Sequence, residues 1–191
     1  MKKLNVLRTT MILVLVIASG AIFNSCVYNE DSPFESEDQA YIKTIRYTIH
    51  PYNWVRDGNN IWYHKLKDSW INWDIVDYGA VLVYMEAANQ NDSWLLLPTT
   101  MYYEDNGIQY VQEFQAWHSH QTIEIQYVDS HPIEPLLLDY DLRIKAIIIG
   151  DYYSTWDQLK GVDLKSYDAV ARALNIDEDK TRVIDEEIKL D

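Results

Sequence analysis

Cysteine is almost missing from this chain: among 191 residues only Cys26 carries a thiol. A lone cysteine closes no internal disulfide, so the fold must be held by its core. Glycine is also scarce, with 6 in all, and neither a phosphate-cradling glycine loop nor a Gly-x-Ser-x-Gly nucleophile elbow occurs. Bases are few, 16 Lys and Arg against 30 Asp and Glu, which gives a net charge of −14 and a pI near 4.6. Phosphate recognition depends on a basic footprint, so this balance excludes a nucleic-acid partner. Phenylalanine is rare as well, 3 residues beside 7 Trp and 15 Tyr, so nearly every ring has a polar handle. The apolar content of 48% and charged content of 24% are those of a globular chain, and the length suits one ordinary domain.

The N-terminus differs from the rest. Lys2, Lys3 and Arg8 form a basic start, no acid precedes Glu30, and an apolar run spans residues 11–22. That run falls short of the about 20 residues of a membrane-spanning helix and matches the hydrophobic region of a secretory signal. Cys26 stands where the signal ends, and Phe23-Asn24-Ser25-Cys26 resembles a bacterial lipobox, in which cleavage precedes an acylated cysteine. Ser25 fits that pattern; Phe23 and Asn24 depart from its usual Leu-small form and are closer to the relaxed lipoboxes of Bacteroidetes. The alternative is cleavage after Ala18-Ser19-Gly20, which leaves Cys26 a plain thiol. The lipobox reading divides the chain into a signal peptide (1–25), a lipid-anchored tether (26–39), a folded domain (40–176) and a charged tail (177–191). Loss of residues 1–25 removes three bases and no acid, leaving 13 bases against 30 acids and a net charge of −17. Residues 27–39 are too polar and acidic to bury a core, and acids this close to a lipidated cysteine look like a surface-export signal. The expected address is the outer membrane, lipid-anchored through palmitate-type acylation at the cell surface, with its periplasmic face as the alternative.

From residue 40 the dominant hydrophobic period is two. Ile45, Tyr47 and Ile49 alternate with Arg46 and Thr48, and Ile123, Ile125 and Tyr127 alternate with Glu124 and Gln126. Asp57-Gly58-Asn59-Asn60 and Glu104-Asp105-Asn106-Gly107 are hairpin signals. Residues 80–85 read as a central strand, 94–97 as a short or edge strand ending at Pro98, and 142–149 as the most β-branched run. These signals predict a mainly β protein: an antiparallel β-sandwich of about seven strands with one short C-terminal helix. The helix is expected to start at Asp163 and to present Tyr167, Val170, Ala171 and Leu174 to the sheet or to a partner.

The succession Trp54, Asp57-Gly58-Asn59-Asn60, Asp77-Tyr78-Gly79-Ala80-Val81-Leu82-Val83-Tyr84, Trp94-Leu95-Leu96-Leu97-Pro98-Thr99, Ile123 to Tyr127 and Arg143 to Ile149 resembles a group of uncharacterised Bacteroidetes surface lipoproteins. Some of those carry a collagen-like Gly-x-y stalk, which this chain lacks between Cys26 and Ala40. The resemblance implies a surface address and a β domain, and no catalytic residue or cofactor.

Three constellations bear on function. His118 and His120, at i and i+2, would share a face on a strand and are the weak candidates for a metal pair, with Glu113 or Glu124 as a further ligand. Asp139 with Asp141, and Asp74 with Asp77, are carboxylate pairs of the kind a hydrolase or a Ca²⁺ site uses, although 30 acids make such pairs common by chance. Trp54, Trp62, Trp70 and Trp73 crowd one short stretch, and Tyr102-Tyr103 adds a pair. Rings of this type stack on sugar faces or anchor protein interfaces, and they also fill the cores of small β domains. The expected function is a surface-anchored binding or adhesion module for a glycan or an envelope protein, with no catalytic residue, cofactor or resident metal. A structural or assembly lipoprotein, and a hydrolase using the acidic pairs, are the alternatives.

Overall fold

The computed structural model describes residues 41–57, 60–86, 93–131 and 140–185. Residues 1–40, which include Cys26 and the signal and tether expected from the sequence, Gly58-Asn59, residues 87–92, the 132–139 stretch with Asp139, and residues 186–191 lie outside these. The elements run β1 (Ile42–Ile49), a 3-10 turn (Pro51–Asn53), β2 (Val55–Arg56), β3 (Ile61–Lys67), α1 (Trp73–Tyr78), β4 (Ala80–Glu86), β5 (Trp94–Leu96) and β6 (Thr99–Asp105). There follow β7 (Ile108–Ser119), β8 (Thr122–Asp129), β9 (Leu142–Ile149), α2 (Tyr152–Leu159), α3 (Tyr167–Ala173), a second 3-10 turn (Glu178–Lys180) and β10 (Arg182–Asp185).

The strands make two five-stranded sheets, ordered β10-β1-β9-β4-β5 and β2-β3-β8-β7-β6. All neighbours are antiparallel except β10, which joins β1 in parallel. This is the expected sandwich, with β2, β6 and β10 added to the strands read from the sequence. The charged tail, whose Val183, Ile184 and Ile188 allow a marginal helix or fraying on sequence grounds, contributes one of them as a strand: Val183 and Ile184 pair beside Arg46 and Tyr47. The β6–β7 hairpin turns on Asn106 and Gly107, both at positive φ (51° and 78°), as the Asn-Gly signal requires.

Alternation explains the core. Ile45, Tyr47 and Ile49 of the first sheet face Leu66, Phe114, Ile123, Ile125 and Tyr127 of the second, and all are buried. Each such side chain contributes about 1.5–3 kcal/mol on burial. β9 does not alternate: residues 144–149 are buried on both faces, because Ile147 and Ile149 lie beneath Leu159 of α2 and Tyr167, Val170 and Leu174 at α3. The first sheet is thus covered on both sides, a three-layer arrangement. The C-terminal helix starts later than expected. Ser166, not Asp163, is its N-cap and accepts from the Ala169 N–H at 3.2 Å, while Asp163 accepts from Lys165 N–H.

Two polar knots, one buried and one part-buried, fasten the C-terminal segment to the first sheet. The Asp68 carboxylate accepts from Tyr47 Oη (3.1 Å), from Trp70 N–H (2.8 Å) and from Arg182 of β10. The Lys145 ammonium lies 4.0 Å from the Tyr167 ring centre and 4.7 Å from that of Trp94, and it donates to Glu178 at 3.1 Å. Glu178 also pairs with Arg46 (3.3 Å) and accepts from the Tyr167 hydroxyl. Burial raises the Glu178 carboxyl, but the hydrogen bonds from Tyr167 and Lys145 and the nearby cations outweigh it and leave it below the ordinary value. Burial and the bond to Glu178 hold the Tyr167 hydroxyl well above the usual range.

Candidate functional site

The fold separates the aromatic residues that the sequence groups together. Trp62 is a core residue, tilted against Tyr127 at 5.7 Å between ring centres, and cannot meet a ligand from outside. Its inward parity on β3 corrects the sequence reading. Trp54 and Trp70 are partly buried and pack on the same core, Trp70 beneath the Arg182 guanidinium at 4.1 Å. Trp73 is exposed on α1, stacked on His120 at 4.7 Å. Tyr102 and Tyr103 are neighbours in β6 and so point to opposite faces; Tyr102 is open to solvent, and Tyr103 turns inward.

Tyr103 joins a buried cluster at the β6 side of the second sheet. Asp129 accepts from Tyr103 Oη (3.1 Å), from Gln112 Nε2 (3.1 Å), from the His131 N–H (2.7 Å) and from the Tyr127 hydroxyl. Burial, then the bond to Asp129, keeps the Tyr127 hydroxyl protonated far beyond neutral pH, and burial and the same carboxylate act likewise on Tyr103. The Tyr110 ring packs between Tyr103 and His131, at 5.3 and 4.5 Å. With four donors on one carboxylate, the cluster is a satisfied support for the sheet end rather than a reactive group.

The outer face of the second sheet is different. The described helices lie elsewhere: α1 against β4, and α3 against β5 and α2. Register places cross-strand rows on this face. One row is Val55, Tyr63, Gln126 and Gln115; the next is Lys65, Glu124 and Trp117. Lys65 and Glu124 form an ion pair at 3.2 Å. Trp117 is exposed, and Tyr63, Gln115 and Gln126 are half-buried by one another. Trp117 and Tyr63 stand two strands and one row apart, about 12 Å between backbones. Tyr102 lies beside Val111, about 20 Å along β7 from Trp117. The surface therefore combines flat rings, paired amides and an ion pair on a rigid ladder.

The histidine pair does not assemble as a metal site. His118 is on the core-facing parity of β7, opposite Ile123, whereas Glu113 and Glu124 point to the outer face. Burial holds the His118 imidazole below its ordinary value, and His120 sits in the turn against Trp73. Among the described residues no group of three or more His, Cys, Asp or Glu side chains could hold a metal ion. Asp141 bonds His50 Nδ1 at 2.8 Å, and Asp74 and Asp77 sit on α1, Asp74 in its first turn.

The chain matches no protein-family model, no curated protein and no solved structure. The open face is then judged on its own chemistry. Its central residues, Trp117, Gln115 and Gln126, were absent from the sequence-level candidates. The signal was present, however: Tyr110, Gln112 and Phe114 set the inward parity of β7, and Trp117 breaks it.

Proposed function

We propose that the protein is a lipid-anchored lipoprotein of the cell surface whose β-sandwich is a binding module, with the outer face of the second sheet taking a glycan. The observation that carries this reading is the row structure of that face. Tryptophan and tyrosine rings offer flat surfaces for the C–H faces of sugars. The side-chain amides of Gln115 and Gln126 and the Lys65–Glu124 pair offer donors and acceptors for hydroxyl groups. The ladder holds all of them in place before binding, which lowers the ordering cost. The signal sequence, the lipobox-like Cys26 and the acidic stretch behind it support the address.

The test is a glycan array followed by calorimetric titration of the chain from Cys26 onward. A polysaccharide ligand is expected, with Trp117→Ala weakening it about tenfold or more, as for a central aromatic contact, and leaving Tm unchanged. A blank array, or binding indifferent to Trp117→Ala, refutes the glycan face. Mass spectrometry of the protein from its native envelope tests the anchor separately through acylation of Cys26.

A further inference from the structure

The second concentration of exposed rings lies on α1 and α2, and topology puts both helices at the end where the chain comes into the domain. Tyr41, just before β1, accepts from Gly150 N–H at 2.7 Å, and α2 begins two residues later. Ile149 pairs with both Ile42 and Ala80, so the ends of β1, β9 and β4 lie side by side there. α1 reaches the same place, since its C-cap Gly79 leads directly into Ala80 and a Cβ on it would sit 2.4 Å from the Ile149 carbonyl oxygen. Trp73 and Tyr78 at the two ends of α1 and Tyr153 and Trp156 of α2 are between 44 and 80% exposed.

We infer that this end of the domain is a membrane-contact surface, which rests on the headgroup region of a phospholipid bilayer. Two observations select that occupant. The rings are Trp and Tyr, with no exposed Leu, Ile or Phe on either helix, a composition that suits the bilayer interface, where one end of a ring is apolar and the other wet. Cys26 precedes Tyr41 by fifteen residues, so a lipid at Cys26 keeps Tyr41 within at most about 50 Å of the membrane. Tyr41 is itself bonded beside the start of α2, so the tethering point and the aromatic helices share one end. The charges on and next to these helices are mostly acidic, Asp74, Asp77, Asp151 and Asp157 with Lys160, so the contact suits a zwitterionic surface better than a strongly anionic one. With that end turned down, the outer face of the second sheet stands beside the membrane and stays accessible. The inference uses the lipid anchor of the proposed function but not its glycan.

The single thiol permits a direct test. The chain from Cys26 onward is coupled through Cys26 to a maleimide phospholipid in phosphatidylethanolamine–phosphatidylcholine vesicles, and tryptophan quenching by doxyl-labelled lipid is measured. Quenching is expected, and the Trp73→Phe/Trp156→Phe variant should lose more than half of it. Amide exchange in α1 and α2 should slow at least threefold relative to the protein coupled to a water-soluble maleimide. Quenching unchanged in the double variant, or protection falling instead on β6 to β8, overturns the inference. Because coupling is chemical, this result is independent of whether Cys26 is acylated in the cell, so the two readings fail separately.

Discussion

Replacement of Asp68 by alanine is the sharpest test of how the domain is held together. The carboxylate is fully buried and serves three donors on three segments: Tyr47 of β1, Trp70 of its own loop and Arg182 of β10. It therefore ties β3 of the second sheet to two strands of the first. Asp68→Ala removes the acceptor of the Tyr47 hydroxyl and leaves the Arg182 guanidinium without this carboxylate. Breaking a buried pair from one side costs about 3–5 kcal/mol, because the remaining charge is left uncompensated. Arg182 keeps about a third of its side chain in solvent and recovers part of its hydration, which sets the expected loss near 3 kcal/mol. At the size of this domain that corresponds to a fall in Tm of roughly 10 °C. Urea unfolding of wild type, Asp68→Ala, Arg182→Met and the double variant measures the loss, and the cycle should give a coupling above about 1 kcal/mol. A single-variant loss under about 1 kcal/mol, or a cycle that closes to zero, would refute the claim that this carboxylate fastens the two sheets.

Four further outcomes follow from particular contacts. Glu178→Gln should cost about 1 kcal/mol at neutral pH, a figure already reduced for the exposure of that carboxylate. Because its folded pKa lies below the ordinary 4.5, its contribution is present above that value and lost as pH falls through the folded pKa. The variant's stability curve between pH 3 and 7, about the range where carboxylates titrate, should therefore be flatter than the wild type's. Gly79→Ala should destabilise by about 1–3 kcal/mol in thermal unfolding, since the new Cβ meets the Ile149 carbonyl and the backbone of Ile75. Gly107→Ala meets no such obstacle, and its expected cost of about 1 kcal/mol comes from the positive φ alone. Tyr127→Phe removes one of four donors to Asp129 and should lower stability by about 1–2 kcal/mol in urea; an unchanged midpoint would mean the bond is not formed in solution.

Strand positions were legible where one face alone is buried. The alternation in β1 and β8 and the Asn106-Gly107 turn each state their own geometry. The helix start was misplaced because Asp163 and Ser166 are both capping types three residues apart. Burial of Tyr167 against Tyr84, at 5.3 Å, selects Ser166. β10 was hidden because its pairing partner, β1, lies some 140 positions away, and its anchor, Asp68, more than 110. The aromatic cluster misled for a related reason. Closeness in sequence says nothing about parity, and on β3 one step decides between the core position of Trp62 and the outer position of Tyr63.

The sequence by itself determined the material: a scarcity of cysteine and glycine, a basic start and an apolar run ahead of Cys26, alternating strands, and rings with polar handles. These follow from local chemistry and from period, which a chain carries without being folded. Only the tertiary structure decided which rings are core and which are surface. It closed one face of the first sheet with helices, left the outer face of the second sheet with Trp117 and its glutamines, and brought α1 and α2 to the end where Tyr41 begins the domain. Those outcomes depend on strand pairing between distant segments, where a single residue of register reverses every side chain.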